Sequence, residues 1–453
     1  MANTYLYRTP SSAGNRGIWT VSWWSKKCDP TKRTVVFGTP GSDNNSTSSF
    51  IYHQDSGVRW GLQTYNIFTT TDTFVMRDPS SWYHLVLSID SSQGSSDNRT
   101  KFYINGERFT DWSSNNLNNI TNGFQFGWNN TILHTICKDP AASGTDYFSG
   151  NITHFVNIDG QALTPTSFGE TDSTTGEWKP KEDLSGLTFG TNGCWLKFEN
   201  AANLGLDSSG NGNNWTVSGA GTNPQSTDTA SNNFATYNPL AKDGTPADNH
   251  DYTLANTVVQ NSSNNWFTAF GSLGIPTSGK WYYEYTTSGS GTIDQLIGFA
   301  KSNFDRGSDA GADTTGCYTL YAASNGNGFL FTNSGSSVNK GTSYCWTHGD
   351  TMMVAIDSSA RKIWYGKNGT WLSGGNPATG TTEDQTVTAD DMAYGLLPVV
   401  SGYHTGSLQK INFGNPAYTI SSGNADSAGF GNFEYAVPSG YYALCTKNIN
   451  SYG

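Results

Sequence analysis

Alternation is the feature that most limits what this chain can become. Short runs in which every second side chain is apolar recur along it, each ended by Gly, Asn, Ser or Asp. A strand directs successive side chains to opposite faces. Trp19–Lys27 (WTVSWWSKK) therefore puts Val21 and Trp23 on one face, Ser22 and Trp24 on the other. Trp82–Asp90 (WYHLVLSID) gathers Tyr83, Leu85, Leu87 and Ile89 on a face suited to a core. Lys101–Phe109 (KFYINGERF) holds Asn105-Gly106, the dipeptide that best tolerates the two positive φ angles of a two-residue hairpin. Asn151–Leu163 adds a strand and a turn at Asp159-Gly160. A second set follows: Lys280–Thr287, Gln295–Ser302, Cys317–Ser324, Thr351–Ser359, Lys362–Gly369 and Leu408–Asn415. No stretch sustains a helical period.

Composition agrees. Charged residues are 13%, about half the usual share, so long Glu/Lys-rich helices are excluded, and 13% aromatics exclude a disordered chain. The chain reads as all-β. Its 453 residues suit two jelly-roll or β-sandwich domains, 1–221 and 257–453. The segment 222–256 between them is polar and carries three prolines; it reads as a linker, partly draped on its neighbours through Phe234 and Tyr237.

Charge and cysteine usage narrow the function. A net charge of −11 with no basic stripe argues against nucleic acid. No run approaches the ~20 apolar residues of a membrane span, and the first residues lack an apolar core of signal-peptide length. The chain is thus expected to fold where it is made, without inserting in a membrane. Six cysteines, three in each half and none in C-x-x-C, read as reduced thiols. The sequons at Asn98, Asn119 and Asn151 are what chance gives in so Asn- and Thr-rich a chain.

Several stretches resemble known families. GKWYYEY at Gly279, IGFA at Ile297, GDTMMVAIDSSARKIWYGKNG at Gly349, LPVVSGYHTGSLQKINFG at Leu397 and FEYAVPSGYYAL at Phe433 are similar, in order, to a SPRY (B30.2-type) domain. That resemblance implies a β-sandwich that binds partners through loops at one end. SWYHLVLSID, TKFYINGERF and FSGNITHFVNIDGQALTPTSFG resemble laminin-G-like, concanavalin-type jelly rolls. CWLKFENAANLGLDSSGNGNNWTV resembles the segment that usually opens such a domain. Here it comes last, which implies a permuted arrangement with Trp195–Phe198 beside an N-terminal strand. YLYRTPSSAGNRGIWTVSWWSKK, IDGQALTPTSFGETD, LGLDSSGNGNNWTV and NNFATYNPL together resemble virion proteins of tailed, especially marine, bacteriophages. This implies a place on a particle, as tail fibre, tail tip or capsid decoration, with other virion proteins as partners.

The candidate chemistry is sparse. Asp207, Ser209 and Asn211, followed by Gly212, match the first half of a calcium loop, but Ser218 stands where its bidentate Glu belongs. The same residues suit a Gly/Asn-rich turn, and both readings stand at this point. Gly274–Lys280 has P-loop spacing, but Trp281 and a strand follow, so phosphate binding is rejected. A glycosidase needs two carboxylates about 5 to 10 Å apart. No strand carries acids at i and i+2; Glu284 stands alone among aromatics, and Asp390 and Asp391 are adjacent. His84 and His154 read as packed or surface histidines. Sugar binding fits better: neutral loops offer hydrogen bonds, and aromatic faces cover a sugar ring. The candidates are Trp60, Trp112, Trp128, Trp266 and Trp371, in loop-like contexts, with Tyr403 and His404 between two SPRY-like strands.

These readings converge on a non-enzymatic phage adhesion or structural protein, lectin-like, that recognises host surface glycan or a neighbouring virion protein. Without a coiled-coil or collagen-like shaft it reads as a compact decoration or tip protein, docked on another subunit as a homo-oligomer. The alternatives are a concanavalin-type polysaccharide hydrolase and a bacterial surface adhesin.

Overall fold

The structure is a computed structural model that describes residues 4–29, 32–40, 48–52, 57–62, 65–70, 74–140, 146–219, 225–241, 250–303, 315–333, 336–416 and 418–453. The chain divides into two compact units, 1–225 with 229–231, and 226–228 with 232–453. Both are built from stacked sheets, antiparallel except where Tyr442–Ala443 joins Lys280–Ser288 in parallel.

The larger sheet of the first unit has eight strands in the order Ser114–Asn115, Tyr65–Thr69, Val58–Leu62, Ser48–Tyr52, Thr34–Thr39, His134–Ile136, Tyr5–Arg8 and Thr216–Ser218. The smaller runs Cys194–Leu196, Gly150–Asp159, Ile18–Lys27, Tyr83–Asp90, Thr100–Ile104 and Glu107–Phe109. The alternation in Ile18–Lys27 and Tyr83–Asp90 sends Trp19, Val21, Trp23, Leu85, Leu87 and Ile89 into the core against Phe37, Phe50, Trp60 and Phe68. The rings meet edge to face, as Trp23 does on Phe50 (4.6 Å, 74°) and Trp19 on Phe126 (5.4 Å, 90°). Each such side chain contributes roughly 1.5–3 kcal/mol by burial. The Asn105-Gly106 hairpin forms as its sequence predicts, with φ of 48° and 88° and Ile104 opposite Glu107.

The outward face of the smaller sheet is also covered. Val86, Val156, Ile158 and Trp195 lie under Phe168, Leu184 and Phe189 of the following segment. His84, on that face, is sandwiched between Trp24 (4.6 Å) and Trp178 (5.9 Å). Its Nδ1 accepts from Trp178 Nε1 at 3.0 Å, so its Nε2–H donates to Ser22 Oγ at 2.8 Å. Among the described residues Cys194–Leu196 pairs with Gly150–Asp159 and with no N-terminal strand, which counts against the permuted arrangement. The N-terminal strand Tyr5–Arg8 is instead closed, in the other sheet, by Thr216–Ser218.

In the second unit one sheet runs His250–Thr253, Val258–Asn261, Leu408–Asn412, Lys280–Ser288, Thr351–Asp357, Lys362–Lys367 and Thr370–Trp371, with Gln385–Thr386 and Tyr442–Ala443 attached. The other runs Phe267–Phe270, Leu396–Gly402, Gln295–Lys301, Cys317–Ala322, Gly328–Thr332 and Ser337–Gly341. Tyr283, Tyr285, Val354 and Tyr365 meet Ile297, Phe299, Tyr318 and Leu320 between them. Of the segment read as a linker, 222–224 and 242–249 lie outside the described residues. Residues 232–241 belong to the second unit, where Phe234 and Tyr237 are core residues, and His250–Thr253 is an edge strand. Asp390 and Asp391 lie in a short helix, Ala389–Tyr394, capped by Thr388 Oγ1, and not in a strand.

Three first-unit histidines are held neutral. Burial lowers the pKa of His84 to about 3, and those of His134 and His154 to about 4. The unfolded rings titrate near 6.5, so the unfolded state takes up protons first as the pH drops. The stabilisation is complete above that value and is lost as the pH falls towards 4. The unfolding free energy of the first unit, read from urea titrations, should fall between pH 7.5 and pH 5 by on the order of 1–2 kcal/mol per ring. His84→Gln should flatten the slope; midpoints independent of pH would contradict the assignment.

Candidate functional site

Register decides which turns of the second unit meet. Phe267 and Gln295 both pair with Gly402, Gln295 pairs with Ala322, and Ala322 pairs with Gly328. The turns 262–266, 289–294, 323–327 and 403–407 therefore emerge at one end of the sandwich. Three of the residues selected from sequence lie there, all partly exposed: Trp266, Tyr403 and His404. Trp266 is 5.7 Å from Tyr403 and 6.0 Å from Tyr321, ring to ring, and Tyr403 is 5.2 Å from His404.

Asp294 holds this end together. One carboxylate oxygen accepts from Tyr321 Oη at 2.6 Å and from the Ser324 N–H at 2.8 Å. The other lies 2.9 Å from His404 Nε2, a contact that becomes an ion pair when the ring is protonated. Two bonds from backbone N–H groups fix the 403–407 turn against its neighbours: Tyr403 donates to the Asp294 carbonyl at 3.1 Å, and Thr405 to Asn264 Oδ1 at 2.9 Å. Beneath them Gln295 is fully hydrogen-bonded, accepting from Tyr285 Oη and donating to Thr287 Oγ1 and Ser407 Oγ. His348 lies alongside; burial, and then the charge of His404, lower its pKa. The result is a fixed surface with aromatic faces and hydroxyl, amide and imidazole groups at its rim. Sequence reasoning missed Tyr321 and Asp294, because only the pairing of distant strands brings them here.

The other selected tryptophans are placed differently. Trp60 and Trp128 are core residues and not ligand contacts: Trp60 packs edge-on to Trp19 and tilted against Phe68 and Phe126, and Trp128 donates from Nε1 to buried Asn157 at 2.9 Å. Trp112 and Trp371 are partly exposed but lean on core rings, Trp112 on Phe68 (4.4 Å) and Trp371 on Tyr282 (6.4 Å). Neither joins the loop-end group.

Glu284 is buried and its oxygens are taken. They accept from the N–H groups of Glu434 and Tyr435 at 2.9 and 2.8 Å, from Tyr282 Oη and from Asn412 Nδ2. Burial raises its pKa, and its role is to hold residues 434–435 against the sheet. In the stretch with P-loop spacing, the Ile275 N–H bonds the Leu396 carbonyl and Lys280 pairs with Asp357 at 3.2 Å, so no phosphate cradle forms.

The Asp207 loop is a hydrogen-bonded turn. Asp207 Oδ1 accepts from the N–H groups of Trp195 and Ser209, and Oδ2 from Ser209 Oγ and the Asn213 N–H, all at 2.8–2.9 Å. Asn211 donates through Nδ2 to the carbonyls of Gly190 and Gly193. Donor hydrogens thus surround the oxygens that a cation would need, and the three residues do not fit calcium. Gly210 and Gly212 supply the positive φ of the turn, 88° and 71°.

No protein-family model and no curated protein sequence matches the chain. Solved structures of similar fold include the SPRY domain of human HERC1 (20% identity, TM-score 0.26, covering 36% of this chain and 90% of that one). The PSpry domain of TRIM65 is another (11%, 0.26, 39% and 89%). A third is the heptameric SAP-like pentraxin of Limulus polyphemus (19%, 0.27, 36% and 71%). The likeness concerns the β-sandwich fold alone. Among the described residues no helix is long and apolar enough to cross a membrane.

Asp207→Ala removes four hydrogen bonds to a carboxylate and should lower stability by about 2–3 kcal/mol, read from the urea midpoint. Calcium or a chelator should leave the melting temperature of the unaltered chain unchanged. A calcium-dependent rise of several degrees would restore the metal reading.

Proposed function

We propose that this chain is a non-catalytic adhesion protein of a tailed-bacteriophage particle, in a tail fibre, tail tip or capsid decoration. It recognises a host surface glycan through the loop end of its second unit. The observation that carries this reading is the convergence of Trp266, Tyr403, Tyr321 and His404 around Asp294. Aromatic faces that are partly exposed and already fixed lose little freedom on binding, so more of the contact energy appears as affinity. The particle assignment rests on the sequence resemblance. Other virion proteins hold the chain in place, as a homo-oligomer docked on a neighbouring subunit.

The test is competition for adsorption. Purified protein should block attachment of the parent phage to its host, and Trp266→Ala or Tyr403→Ala should weaken the block about tenfold or more. Antibody labelling should place the chain on the virion. Failure of the unaltered, folded protein to compete removes the receptor-binding reading. Labelling without competition leaves decoration, with a virion protein as the partner.

A further inference from the structure

We infer that the second unit takes an extended, neutral glycan chain laid from the loop end along the outward-facing rings of strands Cys317–Ala322 and Gly328–Thr332, and not a single terminal sugar. The inference rests on reading the loop end as a glycan site. The aromatic group does not stop at the loops. Tyr321 pairs with Phe329 across neighbouring strands, and Phe331 pairs with Thr319, two residues back from Tyr321. Leu320 and Leu330, between them, point into the core. Tyr321, Phe329 and Phe331 therefore share the outward face. Their rings continue the row begun by Tyr403 and Trp266: centroids lie 5.7 Å apart (Tyr403 to Trp266) and 6.0 Å (Trp266 to Tyr321), and from Tyr321 the row forks to Phe329 at 6.0 Å and Phe331 at 6.2 Å. All five residues are partly exposed.

The occupant follows from length and charge. One sugar ring covers one aromatic face, so a row of this extent is filled only by several linked sugars. Each ring is tilted from the next by 33–61°, so the ligand must turn as it follows the row. Beyond Phe329 and Phe331 the facing positions on the edge strand are Asn339 and Ser337, neutral and exposed. Among the described residues the carboxylate beside the row is that of Asp294, already occupied by Tyr321, Ser324 and His404. Aromatic faces flanked by amides and hydroxyls suit an uncharged polyol better than an anionic polymer, which would look for lysine or arginine.

The experiment uses the full chain and malto-, cello-, chito- and manno-oligosaccharides of two to six units, with calorimetry and tryptophan fluorescence as readouts. At least one series should bind, with affinity rising about tenfold or more from two units to six. Phe331→Ala should flatten that rise to within about threefold and leave the disaccharide unchanged. Because Phe331 is partly buried, Ser337→Arg, which crowds the same end from an exposed position, should do likewise. Trp266→Ala should weaken every length. Val338→Lys, opposite Leu330 and so off this face, should change nothing. Equal affinity for short and long oligomers, or a rise that survives both Phe331→Ala and Ser337→Arg, overturns the extended-chain inference while the loop-end site stands. Binding to none of the four series overturns the inference for neutral chains. The adsorption competition then decides separately whether the loop end is a receptor site at all.

Discussion

A strand offers its side chains two directions, and in both units one of them is filled with rings. Trp19, Trp23 and Trp60 in the first unit, and Tyr283, Tyr285 and Tyr365 in the second, are essentially without solvent exposure. Everything else is arranged around keeping that layer dry. Large rings carry N–H and O–H groups, and a buried donor without a partner costs roughly 1–3 kcal/mol. The interior therefore includes amides that meet some of them, while others, such as Trp19 Nε1, stay unpaired among the described residues. Asn157 accepts from Trp128 and donates to Asn129 and to the carbonyl of Asn192. Gln295 accepts from Tyr285, and Gln385 from Tyr365. Asn157, Gln295 and Gln385, which look like surface residues in the sequence, are thus hydrogen-bonding complements of an aromatic core.

The scarce acids have a matching use. Asp207, Asp294, Asp426 and Glu284 each collect donors from separate segments. Asp426, for example, accepts from the N–H groups of Ala428, Phe430 and Ala443 and from Asn448 Nδ2. A carboxylate offers about four acceptor directions, and bonds to an ionised acceptor are roughly twice as strong as neutral ones. One such group thus fixes two or three turns that have little apolar surface of their own. Glu284, which stands alone among aromatics in the sequence, likewise has its oxygens committed to a loop.

How far the fold can be read from sequence follows from the range of each interaction. Alternation is local, so the core faces of Ile18–Lys27 and Tyr83–Asp90 are legible, as is the Asn105-Gly106 hairpin, whose signal is two residues long. Trp60 and Trp128 mislead because Gly and Asn beside them look like loop, while the burial that decides their role comes from strands far away in sequence. The helix that holds Asp390 and Asp391 escapes notice because six residues leave no periodicity to detect. The Asp207 loop is ambiguous for a chemical reason: the oxygens that ligate calcium are those that accept N–H bonds in a tight turn. Trp266, Tyr403 and His404 are legible, the first through its loop-like context and the other two through family position. Tyr321, Phe329 and Phe331 are not, since an outward-facing aromatic in a buried-looking strand is revealed only by register.

The same two devices, a filled inner face and carboxylate-held turns, account for what remains available to a ligand. Rings that the core cannot take are left on the outward face of the six-stranded sheet, and the turns at its end are held still by Asp294. Neither needs a metal ion or net charge. Recognition built this way draws on dispersion and short hydrogen bonds, which act only when shapes match closely, and it gains little from long-range attraction. Such a surface is selective for ligand shape and weak per site. In that regime a polymeric ligand that fills several rings at once, or several copies of the chain displayed together, gives affinity that one sugar on one ring does not.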